Sequence, residues 1–231
     1  MEQLGAKRIL CFGDSNTWGY TPGTGQRYDC KTRWTGVAQQ VLGDEYHVIE
    51  AGLSGRTTVF DDPYDDYMNG NSAIGYALLE AAPVDLVVIM LGTNDLKHTN
   101  ANGSARGIGT LISSIRRVET SVPSAAYLVG NAPLASTQKG TEILVVSPIL
   151  IHPDVAELNP QTVFEHEKRH EKSLGFANAF RQVAAAANVH FFNAATVAGP
   201  SDIDGIHMMT EDHFALGQAI AEKIREIFQD Q

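Results

Sequence analysis

The chain has 231 residues, 43% of them hydrophobic and 19% charged, with a formal net charge of −10. This is a globular composition, large enough to bury about 70% of its unfolded surface without disulfide or metal staples. The acidic balance excludes nucleic acid and anionic membrane surfaces as expected partners, and no apolar run approaches the roughly 20 residues of a membrane span.

The first eight residues, Met1 to Arg8, are polar and carry no apolar signal core, so the cytoplasm is the expected location. Cys11 lies in the apolar run Ile9-Leu10-Cys11-Phe12, and Cys30 in a polar loop. Two cysteines so placed predict no disulfide.

Five short runs rich in Val, Ile and Phe read as strands: Arg8–Phe12, Tyr46–Glu50, Asp85–Leu91, Glu142–Ser147 and Val189–Asn193. None alternates strictly, which suits a parallel sheet covered on both faces. Helical periodicity fills the spaces between them. Ile108, Leu111, Ile112, Ile115 and Val118 share one helix face. In Thr162–Ala187 the stripe is Leu174, Ala177, Phe180, Ala184 and Ala187. In Thr210–Phe228 it is Gly217, Ile220, Ile224 and Ile227. Thr210 is the expected N-cap of that last helix. The stretch Thr120–Thr141 is rich in Ser, Pro and Gly and reads as a surface excursion. No linker or repeat divides the chain, so residues 1–231 are expected to form one domain. Strands alternating with helices predict βαβ crossovers and an α/β fold: a flavodoxin-like three-layer α/β/α sandwich on a five-stranded parallel sheet.

Ligands of such sheets bind beyond the carboxyl ends of the strands, which directs attention to four segments. Gly13-Asp14-Ser15-Asn16-Thr17-Trp18-Gly19 follows the first strand. Gly52-Leu53-Ser54-Gly55-Arg56 follows the second, and Gly92-Thr93-Asn94-Asp95 the third. Asp204-Gly205-Ile206-His207 lies between the fifth strand and the last helix. These residues are the parts of an acyl-transfer site. A serine hydroxyl needs a base to accept its proton during attack. His207 is the candidate base, and Asp204, three residues earlier, the candidate carboxylate that holds its Nδ1–H. Ser15, Gly55 and Asn94 are the candidate oxyanion donors. Trp18, Thr93 and Ile206 flank these positions and are candidate substrate contacts. Asp14 and Asp95 read as structural carboxylates that accept backbone N–H groups. Trp18, Tyr20 and Trp34 are open between an apolar wall of the site and the core.

The four segments, in this order, resemble the four blocks of the SGNH (GDSL-type) hydrolase family, with Ser15, Gly55, Asn94 and His207 at the defining positions. Arg8–Trp18, Arg33-Trp34-Thr35-Gly36, Leu53–Thr58 and Ile89–Asp95 resemble the bacterial arylesterase/acyltransferase subgroup most. The resemblance implies a serine carboxylesterase with a Ser-His-Asp triad that removes short acyl groups, above all acetyl, from aryl, alkyl or sugar esters through an acyl-enzyme. Acyltransferase or perhydrolase side activity goes with it, as does a homo-oligomer without cofactor or metal. Acyl-thioester or lysophospholipid hydrolysis is the alternative within the same family. Two departures stand out. Asn16 replaces the leucine of the usual Gly-Asp-Ser-Leu, with little consequence expected, and Glu50-Ala51-Gly52 lacks the family's usual Asn before the glycine.

Three rival readings compete. Ser15-Asn16-Thr17 also resembles the hydroxyl-rich phosphate loop of a flavodoxin-like binder of FMN, a reading that leaves Asp204 and His207 idle. His166-Glu167-Lys168-Arg169-His170 fits the H-E-x-x-H spacing of a zinc peptidase, although its middle pair is charged and no third ligand is evident. The acidic run Asp61-Asp62-Pro63-Tyr64-Asp65-Asp66 has the oxygen chemistry of a hard-cation loop, against the simpler reading of a solvated turn. An α/β-hydrolase is disfavoured because no G-x-S-x-G pentapeptide is present.

Overall fold

Side chains on the first strand, β1 (Lys7–Gly13), divide the interior into two layers. In the computed structural model, which describes residues 5–121, 140–160 and 168–229, Leu10 and Phe12 enter one core while Ile9 and Cys11 enter the other. That is the two-residue period of a strand. The other strands are β2 (Tyr46–Gly52), β3 (Leu86–Met90), β4 (Glu142–Ser147) and β5 (His190–Asn193). They form one sheet in the order β2-β1-β3-β4-β5, with every pairing parallel. All five expected runs are strands, within one or two residues at their ends. Only β1, β3 and β4 are buried along most of their length; the edge strands β2 and β5 are half-buried.

A four-residue helix, α1 (Ser15–Trp18), follows β1 directly. One face of the sheet is covered by α3 (Gly70–Ala81), α4 (Ala101–Ser121) and α7 (Phe176–Ala187), through Ile74, Leu78, Ile108, Leu111, Phe176 and Phe180. The other face is covered by α2 (Trp34–Leu42) and α8 (Thr210–Gln229), through Trp34, Leu42, Leu216, Ile220 and Ile224. Two short helices, α5 (Val155–Leu158) and α6 (Arg169–Ser173), lie between β4 and α7. The result is the expected three-layer α/β/α arrangement. The helices α2 and α8 touch closely at Gly217, where a Cβ would lie 2.6 Å from Val37 Cβ and 2.7 Å from the Trp34 carbonyl oxygen.

Three details depart from the sequence reading. The helix expected over Thr162–Ala187 is broken at Leu174–Gly175, where a Cβ on Gly175 would stand 2.9 Å from Ala101 Cβ. Leu174 is 57% exposed instead of buried, and the buried stripe beyond the break is Phe176, Ala179, Phe180 and Ala184. Thr210 is the first residue of α8, one place inside the cap position expected for it. The Thr120–Thr141 excursion falls almost entirely outside the described residues, as does residue 166. Cys11 is buried and Cys30 exposed, and both are free. Among the described residues no helix is long and apolar enough to cross a membrane.

Candidate active site

Gly13 ends β1 beside Gly52 and Met90, the last residues of the neighbouring strands. A Cβ on Gly13 would stand 2.0 Å from Thr17 Oγ1 and 2.9 Å from the Met90 carbonyl, so only glycine lets α1 turn back onto the sheet here. The carboxylate of Asp14 caps that turn by accepting the Asn16 N–H at 3.0 Å. Ser15 is thereby held at the carboxyl end of β1, 5% exposed.

His207 arrives from the loop before α8, and its Nε2 lies 2.9 Å from Ser15 Oγ, across 192 positions of sequence. Its Nδ1 lies 2.7 Å from Asp204 Oδ2. The other oxygen, Oδ1, accepts the backbone N–H groups of Ile206 at 3.0 Å and His207 at 2.9 Å, and the Ser201 hydroxyl at 3.1 Å. Burial alone would raise the Asp204 carboxyl. The hydrogen bond and charge of His207, with those backbone donors, outweigh it and hold the group below its ordinary value. Asp204 therefore stays an acceptor, which directs the Nδ1 proton toward it and leaves Nε2 to face the hydroxyl. Asn159 also binds the Asp204 carbonyl, and the Ser201 N–H binds the His207 carbonyl at 2.8 Å, so the loop is tied to itself.

The loop after β2 is fastened to the same strand end. Leu53 N–H donates to the Gly13 carbonyl at 3.1 Å, and Arg56 Nη1 to the same oxygen at 2.9 Å. Gly55 has φ +86°, in the left-handed region. Asn94, on the 3-10 turn Asn94–Lys97 after β3, donates from Nδ2 to the Arg56 carbonyl at 3.1 Å. Its amide carries a second N–H for a ligand. Gly55 and Asn94 thus sit on segments joined to each other and to the Ser15 turn.

Asp14 and Asp95 serve as backbone acceptors, the latter taking the Thr58 N–H at 2.8 Å and the Thr58 hydroxyl at 2.5 Å. Burial raises both carboxyls to about 6, against the opposing pull of these donors. Among the candidate substrate contacts, Trp18 is half-buried with the Arg27 guanidinium 5.3 Å from its ring centroid. Ile206 is half-buried beside His207. Thr93 is 1% exposed, and its hydroxyl has no hydrogen-bond partner among the described residues. Trp34 belongs to the core at 1% exposure.

Several contributors had no assigned role in the sequence. Tyr20, left open between wall and core, stacks on His207 with ring centroids 4.1 Å apart and planes inclined by 27°. Arg56 lies over the Phe12 ring at 4.2 Å, its pKa lowered to about 10 by burial and partly restored by Asp14. Ser201 was detectable as the first residue of a Ser-x-x-Asp turn. Asn16, expected to matter little, hydrogen-bonds on both sides of His207.

The rival sites gain nothing from this geometry. In the phosphate-loop reading the α1 amides would be open, but the Asp14 carboxylate takes one and the Ser15 hydroxyl faces an imidazole. His166 lies outside the described residues, and His170 places Nδ1 2.7 Å from the Ile151 carbonyl. Asp62 accepts the N–H groups of Tyr64 and Asp65, as a self-contained turn does. Among the described residues no three metal-binding side chains cluster.

The chain is similar in sequence and fold to known esterases. The chain is 36% identical to a carbohydrate acetylesterase from Sinorhizobium meliloti of known structure, with a TM-score of 0.84 over 96% of this chain and 99% of that one. It is 36% identical to an aryl esterase of M. smegmatis, with a TM-score of 0.82 over the same shares of the two chains. Over 147 residues it is 31% identical to an acetylxylan esterase of Xylanibacter ruminicola. That match covers 62% of this chain but only 28% of the length of that larger protein. Residues 11–219 match the GDSL-like lipase/acylhydrolase family, and the chain belongs to it.

Proposed function

We propose that this protein is a carboxylic ester hydrolase that removes short acyl groups, acetyl foremost, from aryl or sugar esters, with Ser15 as nucleophile. The observation that carries the reading is the unbroken chain from Asp204 Oδ2 to His207 Nδ1 (2.7 Å) and from His207 Nε2 to Ser15 Oγ (2.9 Å). The short-acyl preference rests on the carbohydrate acetylesterase and aryl esterase to which the chain is similar along nearly its full length.

The chemistry runs in two halves. His207 Nε2 accepts the Ser15 proton as Oγ bonds to the ester carbonyl carbon, and Asp204 stabilises the imidazolium that forms. The carbonyl oxygen, now an anion, is received by the Ser15 and Gly55 N–H groups and the Asn94 amide. Collapse expels the alkoxide, which takes the proton from His207, and leaves an acyl group on Ser15. Water then attacks that acyl group with His207 as base, and the second collapse returns the proton to Oγ. No metal or cofactor enters either half.

The test is turnover of p-nitrophenyl acetate by the Ser15→Ala variant, alongside a series of longer acyl esters and acetylated sugars. The variant is expected to keep its fold and lose about 10³-fold or more of its rate. Undiminished turnover would refute the reading, and a preference for long acyl chains would refute the substrate class.

A further inference from the structure

Asn16 follows the candidate nucleophile and is 3% exposed. Its backbone N–H is held by Asp14, so its position is fixed relative to Ser15. Its side chain reaches across to the loop that carries His207. Nδ2 donates to the Ile206 carbonyl at 3.2 Å, and Oδ1 accepts the Met208 N–H at 3.1 Å. The partners fix the orientation of the amide, because a carbonyl requires a donor and an N–H an acceptor. His207 is the residue between those two peptide groups. One side chain on the nucleophile's turn therefore grips the loop on both sides of the imidazole, as a neighbouring strand would.

Apart from these two bonds and the His207–Ser15 contact, residues 201–208 are hydrogen-bonded, among the described residues, within the loop and to Asn159 and His152. Among the described residues no backbone–backbone hydrogen bond joins residues 13–19 to 201–209. The contact between Ser15 Oγ and His207 Nε2 is made by two side chains, and it survives only if their backbones keep a constant separation. We propose that Asn16 is a positioning residue that sets the spacing between Ser15 and His207 by clamping the 206–208 loop to the turn after β1. A leucine at this position offers neither donor nor acceptor. This chain uses a polar tie where Gly-Asp-Ser-Leu enzymes have an apolar side chain. The inference rests on the roles assigned above to Ser15 and His207.

The experiment compares Asn16→Leu and Asn16→Asp with the unaltered protein for kcat, KM, the pH profile of kcat/KM and thermal unfolding, using p-nitrophenyl acetate. Asn16→Leu is expected to lower kcat about 10- to 100-fold with KM changed by less than about threefold, because spacing rather than binding is lost. Asn16→Asp matches the amide in shape and keeps an acceptor for Met208, but loses the donor to Ile206 and sets a carboxylate near the imidazole. Its kcat is expected to fall, and the acidic limb of its profile to move up in pH. A kcat within about twofold of the native value in both variants overturns the proposal. So does a loss in Asn16→Leu that only tracks unfolded protein while folded Asn16→Asp keeps the native rate and profile. A Ser15→Ala variant at full rate would remove the underlying reading. A dead Ser15→Ala beside an unaffected Asn16→Leu removes this inference alone.

Discussion

Tyr20 lies face to face with His207, ring centroids 4.1 Å apart, so one side of the imidazole is covered by an aromatic plane. The opposite constraints come from the edges of the ring, where Asp204 and Ser15 bind its two nitrogens. Stacking of this kind contributes about 0.5–1.5 kcal/mol, or roughly a 2- to 10-fold effect at 1.36 kcal/mol per decade. Tyr20→Ala is expected to lower kcat/KM by that amount, and Tyr20→Phe to leave it near the native value, because the ring makes the contact. Steady-state kinetics on an aryl acetate checks both.

Asn94 ties the Arg56 carbonyl with one amide hydrogen, and under the proposed function its second hydrogen is offered to the developing oxyanion. Loss of one oxyanion donor costs about 10²–10³ in kcat. Asn94→Ala is expected to fall in that range while KM changes little, since the donor acts on charge that exists only in the transition state. An equal effect on KM would place Asn94 in ground-state binding.

Buried His213 makes one contribution to the pH dependence of stability. Its Nδ1 accepts the Trp34 N–H at 3.3 Å, and Tyr28 meets it edge to face. Burial, with the nearby charges of His207 and Arg33, lowers its pKa from 6.5 to about 4. At this site the unfolded chain therefore binds the proton more readily between those values, and the contribution of His213 to stability falls as pH drops from 6.5 toward 4. The full effect is roughly 3 kcal/mol. Asp14 and Asp95, raised from 3.8 to about 6, act in the opposite sense, since their contribution is present below pH 3.8 and lost as pH rises through 6. The His213→Gln variant removes only the first effect. In denaturant melts, the change in stability from pH 6.5 to 4.5 is expected to be more favourable in the variant than in the native protein, since only the His213 contribution is removed.

Gly217 sits inside α8, where alanine would ordinarily stabilise a helix by about 1 kcal/mol. Here the added Cβ meets Val37 Cβ at 2.6 Å and the Trp34 carbonyl at 2.7 Å, and one of these is backbone. Overpacking costs about 1–3 kcal/mol, which exceeds the propensity gain. Gly217→Ala is expected to lower the melting temperature, and a rise would show that α2 and α8 separate freely.

The sequence carried the strands and the three residues Ser15, Asp204 and His207 that the fold brings into contact, because each lies in a segment with a local signature. β1, β3 and β4 are apolar runs ended by turn residues, and the chemistry-bearing residues follow those ends. What it did not carry depends on segments meeting in space. Leu174 keeps the helical period yet faces solvent, because Gly175 must pass Ala101 closely and the helix stops there. Tyr20 and Asn16 acquire their roles only when a loop almost two hundred residues away closes over them. Arg56 lies deep beside Phe12 because its guanidinium finds the carbonyls of Gly13 and Ala51, partners that belong to two strand ends.

Under the proposed function the Ser15 hydroxyl, activated by His207, forms the covalent bond to the acyl group. Intact-mass and peptide mapping after treatment with a serine-directed phosphonate tests it most directly. A single adduct is expected on Ser15, absent in Ser15→Ala and formed far more slowly in His207→Ala. Stoichiometric modification of another residue, or full labelling of Ser15→Ala, would contradict it.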